Sequence, residues 1–355
     1  MDMQNLMKLL LIGFVFFINT SILGANDLKS LQDGKINFDT YYTYDQSRLN
    51  TLIYKDAPLD GIGTLYLPKN LDENDKVPLA IILHTSGGIE NNREIFYAKS
   101  LNKNGIAAYV IDTYGTRKCN ASGSGWKNCI NRITLLDFVT DAYMALNRVS
   151  NHPNIDKENT ALIGYSYGGD AAMLALDNDI KNIFSPNQIP FKAAISVYGA
   201  CNNIFDIKET TKTPFHYIVG SEDISYDKEY CKARYIELES AGSKSYEYIL
   251  DGAVHMFDAK YRVMSIPTSE LPNTFKCQYY FSKDGSVEER ISGVKIKFKS
   301  EDSLDNKFKI TNDFAWEDTK SCFGKERMKI GKQNSAKTKT KDLLSEILSD
   351  RFLLN

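Results

Sequence analysis

The stretch Ala161-Leu-Ile-Gly-Tyr-Ser-Tyr-Gly-Gly-Asp170 constrains this chain more than any other. Residues 161–163 are apolar and read as the end of a buried strand, and residues 171–176 read as a helix. Between them Gly164-Tyr165-Ser166-Tyr167-Gly168 has the form G-x-S-x-G. A chain that passes from strand to helix in so few residues must turn sharply, and glycine on either side of the serine removes the Cβ atoms that would collide. Such a turn lifts one hydroxyl clear of the sheet and sets it beside the N-terminal amides of the helix, where negative charge is favoured. Ser166 is therefore the candidate nucleophile. An incidental serine in a small-residue turn is the plainer reading, and the strand before and helix after weigh against it.

The rest of the chain supplies the sheet this turn needs. Residues 78–84, 106–112, 192–198 and 214–220 are nearly continuous apolar runs, as expected of strands buried on both faces. Residues 36–44, 61–68 and 246–250 read as further strands. Helical patterns fall between them: residues 93–103, residues 228–241 stopped by Gly242, and a helix capped by Thr134 with Asp137. In the last, Leu135, Leu136, Val139, Tyr143, Leu146 and Val149 recur at helical spacing. Strands alternating with helices mean an α/β fold with a mostly parallel central sheet and helices on both faces. Ligands in such sheets collect at the C-terminal ends of the strands. His84, Asp112, Ser166, Cys201, Asp223 and His255 all follow expected strands and should gather on that edge. Residues 114–130, polar and rich in glycine, serine and asparagine, are expected to be a loop.

A serine hydroxyl needs a base within reach and a third group that orients the base. The chain has only four histidines. His255, after the last sheet strand, is the candidate base; His216 is mid-strand, His152 lies in a polar loop, and His84 suits loop shaping. Asp223, in Gly220-Ser-Glu-Asp223, is the candidate acid, with Glu222 and Asp251 as rivals. An oxyanion would be met by the N–H of Tyr167 and by one from the turn after the strand at 78–84, at Ser86 or Thr85, where Gly87 and Gly88 admit close approach.

Gly164-Tyr-Ser-Tyr-Gly-Gly169, Gly220-Ser-Glu-Asp223 and His255-Met-Phe-Asp258, in that order, resemble the dienelactone hydrolase family of the α/β-hydrolase superfamily. His84-Thr-Ser-Gly-Gly88 resembles the His-Gly-x-Gly-Gly turn of related members, with Thr85 in place of the usual glycine. Asp112-Thr-Tyr-Gly-Thr-Arg117, followed by Cys119, is similar to a stretch of exported relatives. The resemblance covers roughly residues 45 to 260. Members acting on dienelactone carry cysteine where this chain has Ser166, so the resemblance implies a serine hydrolase. It implies an α/β-hydrolase fold and cleavage of a small or medium carboxylic ester by Ser166, His255 and Asp223 through an acyl-enzyme, with no metal and no cofactor. His84, Thr85, Arg117 and Tyr165 are expected to border the substrate. A peptidase or amidase using the same residues, and a non-catalytic binding protein on a hydrolase scaffold, are the alternatives.

Length and composition set the remaining bounds. The chain has 355 residues and a formal net charge of −2, so no polycationic surface points to nucleic acid. Lys8, an apolar run over residues 9–18 and small residues near Gly24 and Ala25 give the layout of a signal peptide, residues 1–25, with an uncleaved anchor as the alternative. The protein is then exported, periplasmic or secreted, with no membrane span in the mature chain. Six cysteines fit that compartment. The pairs expected are Cys119–Cys129, Cys201–Cys231 and Cys277–Cys322, among the connectivities that six allow. Residues 26–263 are expected to be the catalytic domain, 264–341 a polar insertion or extension with β-rich pieces, and 342–355 a closing amphipathic helix. Nothing in the sequence sets an oligomeric state.

Overall fold

The apolar runs form the sheet that their patterning predicts. The computed structural model describes residues 28–271 and 276–353, so the expected signal peptide lies outside the described residues. The first half of the chain runs through β1 (Gly34–Tyr41), α1 (Gln46–Asn50), β2 (Pro58–Tyr66), β3 (Val77–Leu83), α2 (Glu94–Lys103) and β4 (Ala107–Ile111). It continues with α3 (Thr113–Thr116), α4 (Gly125–Arg132), α5 (Leu135–Val149), β5 (Ile155–Tyr165), α6 (Tyr167–Leu174) and α7 (Asn178–Phe184). Then come β6 (Ala193–Val197), β7 (Asn203–Phe205), β8 (Phe215–Gly220), α8 (Lys228–Ser240) and β9 (Ser245–Leu250). The C-terminal part holds β10 (Met264–Pro267), β11 (Tyr279–Phe281), β12 (Ser286–Glu289), β13 (Val294–Lys297), α9 (Leu304–Asp313), β14 (Arg327–Ile330) and α10 (Asn334–Phe352).

The central sheet has the order β1-β2-β4-β3-β5-β6-β8-β9. β2 pairs antiparallel with β1 and β4, and every pairing from β4 to β9 is parallel. Side chains alternate across a strand. Leu79, Ile81 and Leu83 of β3 accordingly pack with α5, α6 and α7, while Ala80 and Ile82 pack with α2 and α10. β3, β4, β6 and β8 are buried at every position, which is why they are almost wholly apolar, Ser196 and His216 excepted.

Two expectations are corrected. Residues 114–130 are not a plain loop, because they contain most of α3 and the start of α4. The Asp112 carboxylate accepts from Gly115 N at 2.8 Å and starts α3, and the disulfide to Cys119 fixes the fully buried Cys129 of α4. Tertiary anchoring overrides a composition that by itself favours coil. The closing helix also begins at Asn334 rather than at 342. Its lysines conceal a buried stripe of Ala336, Thr340, Leu344 and Ile347, which lies on the sheet.

Residues 264–330 are no detached appendage. β11 pairs in parallel with β7, so the meander β11–β13 extends a four-stranded sheet of order β13-β12-β11-β7. Lys307 of α9, buried, places its ammonium 2.9 Å from the Asp45 carboxylate. The structure joins Cys119 to Cys129, Cys201 to Cys231 and Cys277 to Cys322, the same three pairs. No helix among the described residues is long and apolar enough to cross a membrane.

Candidate active site

Ser166 sits where β5 ends and α6 begins. Its backbone, with φ 48° and ψ −114°, is one a non-glycine residue holds only when its surroundings force it. The forcing is steric. A Cβ on Gly164 would lie 1.8 Å from Gly168 O, and one on Gly168 would lie 2.6 Å from His84 O. Ser166 N donates to Val197 O at 2.9 Å, which ties the turn to β6.

His255 Nε2 stands 3.2 Å from Ser166 Oγ, and His255 Nδ1 stands 2.8 Å from Asp223 Oδ2. The other oxygen of Asp223 accepts from Ser225 N at 2.9 Å and Ser225 Oγ at 2.7 Å. Ser225 was not anticipated, although an aspartate followed two residues later by serine is a turn signal that could have revealed it. Glu222 turns outward to Lys329 Nζ at 3.2 Å, and Asp251 is exposed in the turn after β9. Of the three carboxylates considered, the fold brings only Asp223 to His255.

The loop bearing His255 is fixed from far along the chain. His255 N donates to Lys329 O at 3.2 Å, and Gly331 N donates to His255 O at 3.1 Å. Val254 N donates to Gln333 Oε1 at 2.8 Å. Gly331 has φ 130°, and a Cβ there would meet Arg262 O at 2.5 Å, so only glycine fits this splice.

Ser86 and Tyr167 border one cavity of about 770 Å³ together with Ser166 and His255. The turn carrying Ser86 is closed by Gly88 N to Thr85 O at 3.0 Å and by Gly87 N to Thr85 Oγ1 at 3.0 Å. Arg93, wholly buried, braces it by donating to Thr85 Oγ1 at 3.0 Å and to Gly88 O at 2.9 Å. Its charge is met by Glu94 at 2.7 Å. The sequence carried no signal for Arg93, since its partners are set by the turn alone.

The four residues expected to border the substrate do not line the cavity. The His84 ring is wholly buried edge-on against Tyr114 and Phe138, and burial lowers its pKa. Thr85 points its hydroxyl to Arg93 and Gly87. Arg117 is paired with Asp141 at 2.7 Å and donates to Tyr41 O at 2.8 Å, which ties α5 to β1. Tyr165 stacks on Tyr97 inside the core. His84 and Thr85 follow β3, Tyr165 ends β5 and Arg117 follows α3, all toward the expected edge, yet burial directs each side chain inward.

Two buried carboxyls near the site escaped the sequence reading as site residues. Asp170, one helical turn beyond Ser166, accepts from Ala200 N at 2.6 Å and from Asn203 Nδ2 at 2.9 Å, and burial pushes its pKa up to about 7. Asp258 accepts from Tyr198 OH at 2.8 Å, and burial pushes its pKa up to about 6. The Tyr198 ring in turn stands edge-on to His255 at 5.2 Å. Among the described residues the one group with metal-ligand side chains in reach of each other is Cys277, Glu289 and Cys322, and the disulfide between its cysteines leaves no thiolate there.

A hydroxyl in line with an imidazole can pass its proton to the ring, and a buried carboxylate behind the ring offsets the charge that results. This edge, on a mostly parallel sheet with helices on both faces, defines the class as a hydrolase of the α/β-hydrolase superfamily. Residues 63–278 match the dienelactone hydrolase family, and the chain belongs to it. Among solved structures it is similar to a putative dienelactone hydrolase from Klebsiella pneumoniae subsp. pneumoniae, at 16% identity and TM-score 0.46, covering 64% of this chain and 90% of that one. It is also similar to Thermogutta terrifontis esterase 2 with propionate bound, at 15% identity and TM-score 0.41, covering 56% and 80%. DcsB in complex with its substrate analogue is a third, at 14% identity and TM-score 0.43, covering 62% and 91%. No curated protein matches the chain in sequence.

Proposed function

We propose that this protein is an exported serine hydrolase that cleaves carboxylic esters through an acyl-enzyme. The observation that carries the reading is the line Ser166 Oγ, His255 Nε2, His255 Nδ1, Asp223 Oδ2, with spacings of 3.2 Å and 2.8 Å across its two contacts. Ser166 Oγ attacks the ester carbonyl carbon as its proton moves to His255 Nε2. Asp223 holds the ring in the tautomer that leaves Nε2 free and stabilises the imidazolium. The negative oxygen faces the N–H of Tyr167 and of Ser86. Ser86 is favoured because the Gly87 and Gly88 amides are taken by Thr85. The tetrahedral intermediate collapses, His255 returns the proton to the departing alkoxide, and the acyl group remains on Ser166. Water, losing a proton to His255, then attacks the acyl carbon, and His255 returns that proton to Ser166 Oγ as the bond to the acyl group breaks and the acid leaves. Export is supported by the N-terminal residues 1–25 and by the three disulfides.

A fluorophosphonate probe tests the reading. The purified protein should be labelled once, on the peptide containing Ser166, with loss of activity toward p-nitrophenyl acetate. Absence of labelling, or labelling of another serine, overturns it.

A further inference from the structure

The cavity at Ser166 has a direction. Its floor is one face of α6 and the start of α7, where Tyr167, Asp170, Leu174 and Asp177 recur at helical spacing and all line it. At the helical rise, residues 167 to 174 alone span about 10 Å. Its roof is the hairpin β11–β12, through Phe281 and Val287, beside Phe205 of β7. In the hairpin turn Lys283 reaches down to the carboxylates of Asp177 and Asp179 and closes the far end. The result is a channel that starts at Ser166 and ends at an ion pair.

We propose that this channel receives the acyl chain of the scissile ester, so that the substrates are esters of neutral, medium-length carboxylic acids. The proposal rests on the serine-hydrolase reading and adds to it the substrate class and a role for the C-terminal segment. A volume of about 770 Å³ is that of a site for a whole small molecule, far beyond what an acetyl group fills. The middle of the channel is apolar, with Leu174 below and Phe281 and Val287 above. The charged groups bordering the cavity are already matched. Asp45 faces Lys307 at 2.9 Å, Asp206 faces Lys208 at 2.6 Å, Glu90 faces Lys260 at 3.6 Å, and Lys283 is held by Asp177. Asp170 is bonded to Ala200 N and Asn203, and burial favours its neutral form. An acyl chain bearing its own charge would find no vacant counter-charge among these groups, whereas an alkyl chain meets carbon.

The test is a series of p-nitrophenyl esters from acetate through butyrate, hexanoate and octanoate to decanoate. kcat/KM should rise about fourfold for each added methylene until the channel is full, then level or fall. Leu174→Trp fills the floor and should lower the octanoate-to-acetate ratio about tenfold or more. Val287→Trp, from the roof, serves if the first variant does not fold. The p-nitrophenyl half-ester of suberic acid, whose distal carboxylate would lie in the apolar part of the channel, should be poorer than octanoate. Alkyl acetates of increasing alcohol length should show no comparable rise. A flat or falling acyl series, preference for the half-ester, or a rise only with the alcohol overturns the proposal, and in those cases labelling of Ser166 leaves the hydrolase reading standing. If Ser166 neither labels nor supports cleavage of any ester, both fall together.

Discussion

Ser166 and His255, the proposed nucleophile and base, are held by two differently built regions. The turn at Ser166 is local: strand, glycine, serine, glycine and helix follow within one short stretch, and the constraint on Ser166 comes from Gly164 and Gly168 a few residues away. The loop at His255 is not. It is paired in parallel with Ile330 and spliced to Gly331 and Gln333, which lie beyond the whole C-terminal segment. The sheet around Ser166 has long strands buried on both faces, whereas the segment that reaches His255 has strands of three or four residues. Strands so short have little stability of their own. That segment is secured instead by the Cys277–Cys322 disulfide, the buried Lys307–Asp45 pair and Lys283 on Asp177. The sheet edge thus carries Ser166, and the C-terminal segment secures the His255 loop and lines the cavity between them.

The largest expected effect tests the first region alone. Ser166→Ala should lower kcat by on the order of 10⁴-fold or more with little change in melting temperature, since only one half-buried hydroxyl is removed. Asp223→Asn should cost less than Ser166→Ala, and more than Glu222→Gln or Asp251→Asn; steady-state kinetics on p-nitrophenyl acetate rank all four. If either rival carboxylate matters more, the line from Asp223 is not the working one.

Next comes the joint between the two regions. Gly331→Val meets Arg262 O and must displace the strand on which His255 hangs. Misplacing the base by about 1 Å lowers kcat on the order of 10²-fold, with KM little changed. If full activity survives in a folded variant, the C-terminal segment is not what positions His255.

A smaller effect separates the regions by stability. Replacing both Cys277 and Cys322 by alanine should remove roughly 2–4 kcal/mol from the structure around them, because the cross-link restricts the unfolded chain. Hydrogen exchange should quicken in β11–β13 and α9 and stay unchanged in β3 and β5. Uniform loosening of both regions would mean that they unfold as one unit.

The smallest effect lies within the nucleophile's own helix. The pKa of Asp170 is raised from the ordinary value 3.8 to about 7, so the folded protein holds its proton more tightly than the unfolded chain. The stability this group contributes is complete below its unfolded value and is lost as pH rises through about 7. From about pH 6 to about pH 8 the loss is about 1.4 kcal/mol. Asp170→Asn should abolish that portion of the pH dependence in urea unfolding. The new amide can keep both contacts, because Asn203 Oδ1, buried without a partner, can turn to accept from it. An unchanged slope would place the titration elsewhere, with Asp258 next in line.

Much of the sheet was legible in the sequence, because apolar runs and helical periodicity report burial directly. Thr134 with Asp137 marked the start of α5, where Thr134 N donates to Asp137 Oδ2 at 2.9 Å. The C-terminal segment was far less legible. Short alternating pieces such as residues 292–299 point to strands there, but nothing in them announces the pairing with β7 or with the His255 loop. His84, Thr85, Arg117 and Tyr165 illustrate a related limit: position at or beyond the end of a strand gives the edge of the sheet but not the direction of the side chain.

By itself, then, the sequence determined what depends on near neighbours: the strand-turn-helix at Ser166, the α/β order, and the residue types able to act as base and acid. The tertiary structure alone decided which carboxylate meets His255, that Arg93 braces the turn at Ser86, that Gly331 anchors the base, and that residues 264–330 roof the cavity. Those outcomes depend on side-chain and backbone contacts that near neighbours do not announce, from Arg93 on Thr85 to Asp223 on His255, Gly331 on His255 and Lys283 on Asp177, and the energy of such contacts exists only once the intervening chain has packed.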